Sequence, residues 1–185
     1  MNLSGWTVLQ AEARGVTGTT NTGASHDARP LASVAPDGWV RILRPPTTVN
    51  AARTLWFARG EVGADYGFLT VVSTGFDILT PSWFHLPVRR PGTWICSALA
   101  SEALRYGGWC SRWPDIYQVT PAQAMAALLA SGAVDVAPDG AAPGDVGFAH
   151  GTGFVSGAIR LGQRLAREPD WEVNHMFLLD RKVAP

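Results

Sequence analysis

Residues Ile95 to Tyr106 form the sequence ICSALASEALRY, and Gly107 and Gly108 follow it directly. These residues favour a helix that ends at the glycines. Cys96 would then lie in the first helical turn, where unpaired backbone N–H groups and the positive end of the helix dipole favour the thiolate, the reactive form of the side chain. Cys96 is therefore a candidate nucleophile, and the alternative is a small buried apolar residue, as most free cysteines are.

The composition is that of a globular protein. The chain has 185 residues, 15 basic and 15 acidic side chains, and 46% hydrophobic residues. Its length predicts a single domain over residues 1–185 with a core of its own. Because the charges balance and no long charged block occurs, we expect neither nucleic acid nor an anionic membrane as partner. The sequence leaves the oligomeric state open.

Three features of the sequence predict the state of the cysteines, the cellular location and the relation to the membrane. A helix between Cys96 and Cys110 would separate them by roughly 15–20 Å, so we expect free thiols. Residues Met1 to Trp6 lack the basic and apolar regions of a signal peptide, which makes a cytoplasmic location the default expectation. Polar residues and Pro81 interrupt the segment Gly67–Leu86, so it predicts a buried helix and not a membrane span.

The remaining elements follow from local patterns. The sequence Thr120-Pro121-Ala122-Gln123 predicts a capping box at the start of a helix that continues to Ala130. Thr47 or Thr48 is expected to cap another helix over Val49–Arg59, and further helices are expected at Phe68–Leu79 and Phe154–Ala166. Strands are predicted at Trp6–Ala11, Trp39–Leu43, Asp145–Ala149 and Val173–Leu179, and loops at Gly15–Arg29 and Val134–Pro143. The irregular spacing of these elements favours an α+β fold.

His175 lies in the predicted strand Val173–Leu179. Because side chains alternate along a strand, it shares a face with Phe177 and Leu179, whereas Met176 and Leu178 point the other way. If the Cys96 helix packs on the face of His175, thiol and imidazole form the pair that acyl transfer needs, with the histidine acting as base and then as acid. The alternative is a core histidine bonded to a backbone carbonyl.

A third polar group should orient the imidazole, as in a catalytic triad. The strand Trp6–Ala11 and the residue after it offer Gln10 and Glu12 on one strand face. Either side chain suits this role. Their alternative role is solvation of an edge strand, which suits Glu12 better because an unpaired charge is costly to bury.

Several short motifs together resemble a known family. The sequence Gly144-Asp145-Val146-Gly147-Phe148 is followed by Asn174-His175-Met176-Phe177-Leu178, and the chain also contains Gly63-Ala64-Asp65-Tyr66 and Trp94-Ile95-Cys96-Ser97. With the segment Leu9–Val16 and the helix at Thr120-Pro121, they resemble the papain-like NlpC superfamily, in particular its permuted YiiX-like branch. The order differs, because in that branch the histidine strand comes first and the cysteine last.

The resemblance implies a fold and a set of roles. The fold would be papain-like, with the helix of Cys96 packed on a small antiparallel sheet, and circularly permuted in the hairpin that would join Asp180–Lys182 to Gly5–Thr7. The chain termini should then lie close together. The resemblance implies Cys96 as nucleophile, His175 as general base and Gln10 as the orienting residue, with Glu12 as the alternative. It also implies Tyr66 as an oxyanion donor beside the backbone N–H groups of Cys96 and Ser97.

These roles imply a cysteine hydrolase or acyltransferase that cleaves an amide, ester or thioester through an acyl-enzyme and needs no cofactor. Its substrate would be a cell-wall peptide, a lipid or another acyl-bearing molecule, and Trp83 and Trp94 would line the pocket. The same fold could instead bind a peptide or acyl group without turning it over.

Two further alternatives are less well supported by the sequence. The segment from Asp145 through Gly151-Thr152-Gly153 to Asp180 partly resembles a dinucleotide site, but Ser156 stands where glycine or alanine is required, and the third glycine comes one residue late. A metal site is not expected, because the chain has no Cys-x-x-Cys pair and no His-Glu-x-x-His sequence. His26, His85 and His150 are instead expected at the surface.

Overall fold

The computed structural model describes residues 6–11, 24–27, 40–67, 69–70, 72–73, 91–110, 116, 119–149 and 175–181. Among the described residues, three α-helices have both ends defined: α1 (Ala51–Gly60), α2 (Cys96–Tyr106) and α3 (Pro121–Ala130). The strands are β1 (Trp6–Ala11), β2 (Ala24–Asp27), β3 (Val40–Arg44), β4 (Asp65–Tyr66), β5 (Thr93–Trp94), β6 (Val134–Val136), β7 (Val146–Ala149) and β8 (His175–Arg181).

Six of these strands form one antiparallel sheet in the order β2-β1-β8-β7-β3-β6. Strands β4 and β5 form a separate parallel pair. Helices and an antiparallel sheet in one chain confirm the predicted α+β class. The register pairs Trp6 with Arg181, so the two outermost described residues of the chain are neighbours in the sheet.

Local sequence signals determine the helix ends. At α3 the Thr120 hydroxyl accepts the N–H of Gln123 at 3.2 Å, and the Gln123 side chain accepts the N–H of Thr120 at 3.0 Å. The predicted capping box is therefore confirmed. The predicted cap of α1 at Thr47 or Thr48 is wrong, because the Asn50 side chain caps this helix by accepting the N–H of Arg53 at 3.0 Å. Asparagine is among the best N-cap residues.

Two strands occur where loops were expected. Strand β2 lies within Gly15–Arg29 and pairs with β1, and strand β6 lies within Val134–Pro143 and pairs with β3. Both are edge strands of the sheet. Pairing with a neighbour that is distant in sequence creates them, so turn-forming residues nearby do not exclude them.

The sheet has two buried faces with different partners. Leu43, Phe148, Met176 and Leu178 belong to the core that also contains residues of α1, α2 and α3. Val8, Ile42, Phe177 and Leu179 form a second apolar cluster, which alternation places on the opposite face. Helix α2 therefore packs on the face of β8 that carries Met176 and Leu178. The sequence-based condition that α2 packs on the face that His175 shares with Phe177 and Leu179 is therefore not met.

Two buried carboxylates anchor the sheet. Arg59 at the end of α1 donates to both oxygens of Asp180 at 2.8 and 2.7 Å, and Arg44 donates to both oxygens of Asp145 at 3.1 and 2.9 Å. Asp145 also accepts the N–H of Ala142. Gly144 before it has a φ of 89°, which favours glycine. The Gly-Asp motif before β7 thus has a structural role here.

Two predicted helices fall wholly or partly outside the described residues. Of the expected helix Phe68–Leu79, only residues 69, 70, 72 and 73 are described, and they are helical. The expected helix Phe154–Ala166 lies outside the described residues. Within the described part of the chain, we find no helix with the length and hydrophobicity needed to cross a membrane.

Candidate active site at the start of helix α2

Cys96 is the first residue of α2, as the sequence predicts. Ile95 precedes it in an extended conformation and provides no side-chain cap. The first intrahelical hydrogen bond runs from the N–H of Leu99 to the carbonyl of Ile95 at 3.0 Å. Helix geometry therefore leaves the N–H groups of residues 96–98 without an intrahelical acceptor, and they are directed toward the space before the helix.

The sulfur of Cys96 contacts strand β8. It accepts a hydrogen bond from the backbone N–H of Met176, the residue that follows His175. The N–H and C=O of Leu179 both face β7, since they bond to Asp145 and Gly144 at 2.9 Å. Because these groups alternate along a strand, those of Met176 face β1.

This hydrogen bond places the sulfur at the point where β1 and β8 separate. The described ladder between them ends at the pair Leu9 and Leu178, two residues before Met176. The N–H groups of a strand lie close to the plane of the sheet. The sulfur that accepts the Met176 N–H therefore lies near this plane, at the end of the described pairing of β1 with β8.

Burial raises the pKa of the Cys96 thiol above its usual value, and the backbone N–H groups of Met176, Ser97 and Cys96 and the Ser97 side chain oppose this effect only in part. Cys96 is 7% exposed. The expectation that the helix start favours the thiolate is therefore corrected. The helix N-terminus acts in the expected direction, but the loss of hydration is the larger effect.

His175 and Gln10 are described as backbone positions of β8 and β1, and their side chains lie outside the description. Alternation along β1 and β8 places positions 10 and 175 on the face of the sheet that carries Val8, Phe177 and Leu179. The described pairing of β1 with β8 ends at Leu9 and Leu178, before either position. The predicted base and its predicted orienting residue therefore share one face of the sheet.

The other predicted site residues have different surroundings. Tyr66 is half-buried and packs against the cluster of Trp94, Ile95, Ala98 and Leu99 beside the first turn of α2. Trp94 is buried, donates its indole N–H to Glu61 at 2.7 Å and meets the ring of Phe57 edge-on. Its ring therefore belongs to the core between α1 and α2. Glu12 and Trp83 lie outside the described residues.

From the sequence, only the backbone N–H of Ser97 is expected in the site. In the structure its side chain is buried, and its hydroxyl has no hydrogen-bond partner among the described residues. It lies close enough to the sulfur to lower the pKa of the thiol. The only sequence signal for this role is its place next to the cysteine.

The structure also bears on the two alternative sites, a metal site and a dinucleotide site. The described residues contain no cluster of three histidine, cysteine or acidic side chains that could hold a metal ion. Strands β7 and β8 are antiparallel neighbours. The dinucleotide alternative is therefore wrong, because that motif joins parallel strands. Its expected ribose ligand, Asp180, is instead buried against Arg59.

Both cysteines are free thiols, as expected, and Cys110 is exposed. Comparisons with protein-family models, with curated proteins and with solved structures found no match to this chain. The function is therefore inferred from the chemistry of the residues around Cys96.

Proposed function

We propose that the chain is a papain-like cysteine hydrolase or acyltransferase. In this proposal Cys96 attacks the carbonyl carbon of an amide, ester or thioester, and His175 transfers the proton. The observation that carries the proposal is the hydrogen bond from the Met176 N–H to the Cys96 sulfur. It joins the first turn of α2 to the residue next to His175, although the two segments are far apart in sequence.

The raised pKa of the thiol determines how the first step proceeds. Because burial keeps the resting sulfur protonated, His175 removes the proton while the sulfur attacks, as a general base does. The carbon–sulfur bond forms, the π electrons of the carbonyl move to its oxygen, and a tetrahedral oxyanion results. When this intermediate collapses, the leaving group takes the proton from His175 and a thioester remains on Cys96.

Water or another acceptor completes the reaction by the same steps in reverse. His175 deprotonates the acceptor, which attacks the thioester and releases the sulfur as a thiol. Gln10 orients the imidazole. The backbone N–H groups of Cys96 and Ser97, with the Tyr66 hydroxyl, are the proposed donors to the oxyanion, since such donors stabilise charge that develops in the transition state. The substrate class is a peptide, lipid or other acyl-bearing molecule.

A substrate screen tests this proposal. Peptide amides, esters and thioesters are incubated with the native chain, with a Cys96→Ala variant and with a Cys110→Ala variant as the matched control. We expect turnover of at least one class, a loss of more than about 10³-fold in Cys96→Ala, and native rates in Cys110→Ala. Turnover that survives Cys96→Ala would refute the proposed nucleophile.

A second candidate function is a binding module that holds a peptide or acyl group without cleaving it. The observation that favours it is the burial of Cys96, which keeps the sulfur protonated. Intact-protein mass spectrometry with an activated thioester distinguishes the two functions. An acyl adduct on Cys96 that forms and then disappears supports the enzyme, whereas ligand binding without an adduct supports the binding module.

A further inference from the structure

The hydroxyl of Ser97 is the feature that the described contacts leave unexplained. Ser97 is 1% exposed, and its oxygen has no hydrogen-bond partner among the described residues. Buried hydroxyls are nearly always hydrogen-bonded, because burial without a partner is unfavourable. Alanine would fill this position without that penalty, so the hydroxyl needs another explanation.

The position of Ser97 supplies one. It is the second residue of α2, directly after Cys96, and its side chain lies near enough to the sulfur to lower the pKa of the thiol. At rest the two groups form no aligned hydrogen bond. A neutral thiol is a weak acceptor, whereas charged acceptors form bonds about twice as strong, and a hydroxyl hydrogen rotates to suit its partner.

We propose that Ser97 is a positioning residue whose O–H turns toward the Cys96 sulfur when that sulfur becomes negatively charged. The proton stays on the Ser97 oxygen throughout, and the bond is lost again once the sulfur has bonded to carbon. The use of this contact in acyl transfer rests on the proposed function. The contact itself requires only that the sulfur ionise.

Ser101 provides a matched comparison on the same helix. It is also a buried serine of α2, but its hydroxyl contacts the sulfur of Met176 at 4.0 Å. Replacement of either serine by alanine removes one buried hydroxyl from α2. Only Ser97 adjoins Cys96, so a general effect of removing a hydroxyl can be separated from an effect on the sulfur.

The test is an ultraviolet titration of the Cys96 thiolate in a Cys110→Ser background, with the Cys96→Ala, Cys110→Ser protein as baseline. We expect Ser97→Ala to raise the titration midpoint, so that the thiolate fraction at a fixed pH on the rising limb falls about tenfold. Ser101→Ala should keep the midpoint of the background protein, and so should Ser97→Thr, which retains the hydroxyl. Ser97→Ala should also melt at an equal or higher temperature, because it removes an unpaired buried group.

An unchanged midpoint in Ser97→Ala overturns the inference, and so does an equal shift in Ser101→Ala. Neither result bears on whether Cys96 is a nucleophile. Conversely, a chain that turns over no acyl substrate refutes the proposed function, while the titration still decides whether Ser97 stabilises the charged sulfur. The two proposals can therefore fail separately.

Discussion

The sulfur of Cys96 is subject to two opposing effects at the start of α2. Burial disfavours its charged form, and the N–H groups around it favour that form. Burial is the larger effect, so the thiolate is formed only when a base accepts the proton. A catalytic role for this cysteine therefore depends on its neighbours, which makes Ser97 and the β8 strand as informative as the cysteine itself.

The raised pKa of Cys96 predicts a loss of stability in alkaline solution. Above the usual thiol pKa of about 8.5, the unfolded chain releases the proton while the folded chain retains it. The unfolded state then binds fewer protons, so the free energy of unfolding decreases with pH, by up to about 1.4 kcal/mol per pH unit. This slope ends once the pH exceeds the pKa of the folded state.

Urea unfolding of the Cys110→Ser protein between about pH 7 and pH 10 measures this slope. The same series on the Cys96→Ala, Cys110→Ser protein shows the contribution of all other groups. We expect the alkaline slope to be shallower without Cys96. Identical slopes in the two proteins would mean that the thiol pKa is not raised by folding.

The residue types of the site were accessible from the sequence, but their surroundings were not. The position of Cys96 at a helix start follows from the local pattern before Gly107. Its burial does not, because the covering groups come from β8 and other distant segments. The sequence also could not determine which face of β8 receives α2, since both faces carry apolar residues such as Met176 and Phe177.

Helix α3 depends on its capping box more than on charged residues in its first turn, since it has none there. We expect Thr120→Ala to lower the free energy of unfolding by about 1 kcal/mol, because the N–H of Gln123 loses its acceptor. Thr120→Ser retains the oxygen and should remain close to the native stability. Chemical denaturation measures both variants, and equal losses in the two would contradict the assignment of the cap.

The elements that were predicted correctly are those with strong local signals. Helices α2 and α3 and strands β1, β3 and β7 have such signals within their own sequences. Strands β2 and β6 lack them, because Ala24–Asp27 has few β-forming residues and Val134–Val136 is followed closely by Pro138 and Gly140. Their partners β1 and β3 create them, and single-sequence patterns do not contain that information.

The ion pair of Arg59 and Asp180 links α1 to the strand that carries His175. Arg59→Met should remove both hydrogen bonds that Arg59 donates to the Asp180 carboxylate, which is only 1% exposed. Arg59 is 52% exposed, so water weakens the pair, and we expect a loss of about 2 kcal/mol, below the value for a fully buried pair. Urea unfolding provides the measurement.

Arg105→Met is the matched control for this prediction. Arg105 bonds to Glu102 at 3.2 Å on the surface of α2, where such pairs contribute less than about 1 kcal/mol. Its loss should be small. If the two arginine variants lose equal stability, Asp180 does not depend on Arg59 in the way that the geometry indicates.

The arrangement of the sheet connects these features. Strand β8 lies between β1 and β7, receives α2 on one face and carries His175 at its first position. The hydrogen bond of Met176 to the Cys96 sulfur occurs where β1 leaves β8, next to position 10. The proposed nucleophile, base and orienting residue belong to α2, β8 and β1, which are three separate segments of the sequence.

The most direct test of this account is the rate at which an activated ester acylates Cys96 at neutral pH, in the native chain and in His175→Ala, followed by mass spectrometry. We expect the variant to react about 10² to 10⁴-fold more slowly while retaining its fold by circular dichroism, because general-base catalysis is lost. Equal rates in the two proteins would contradict the pairing of Cys96 with His175.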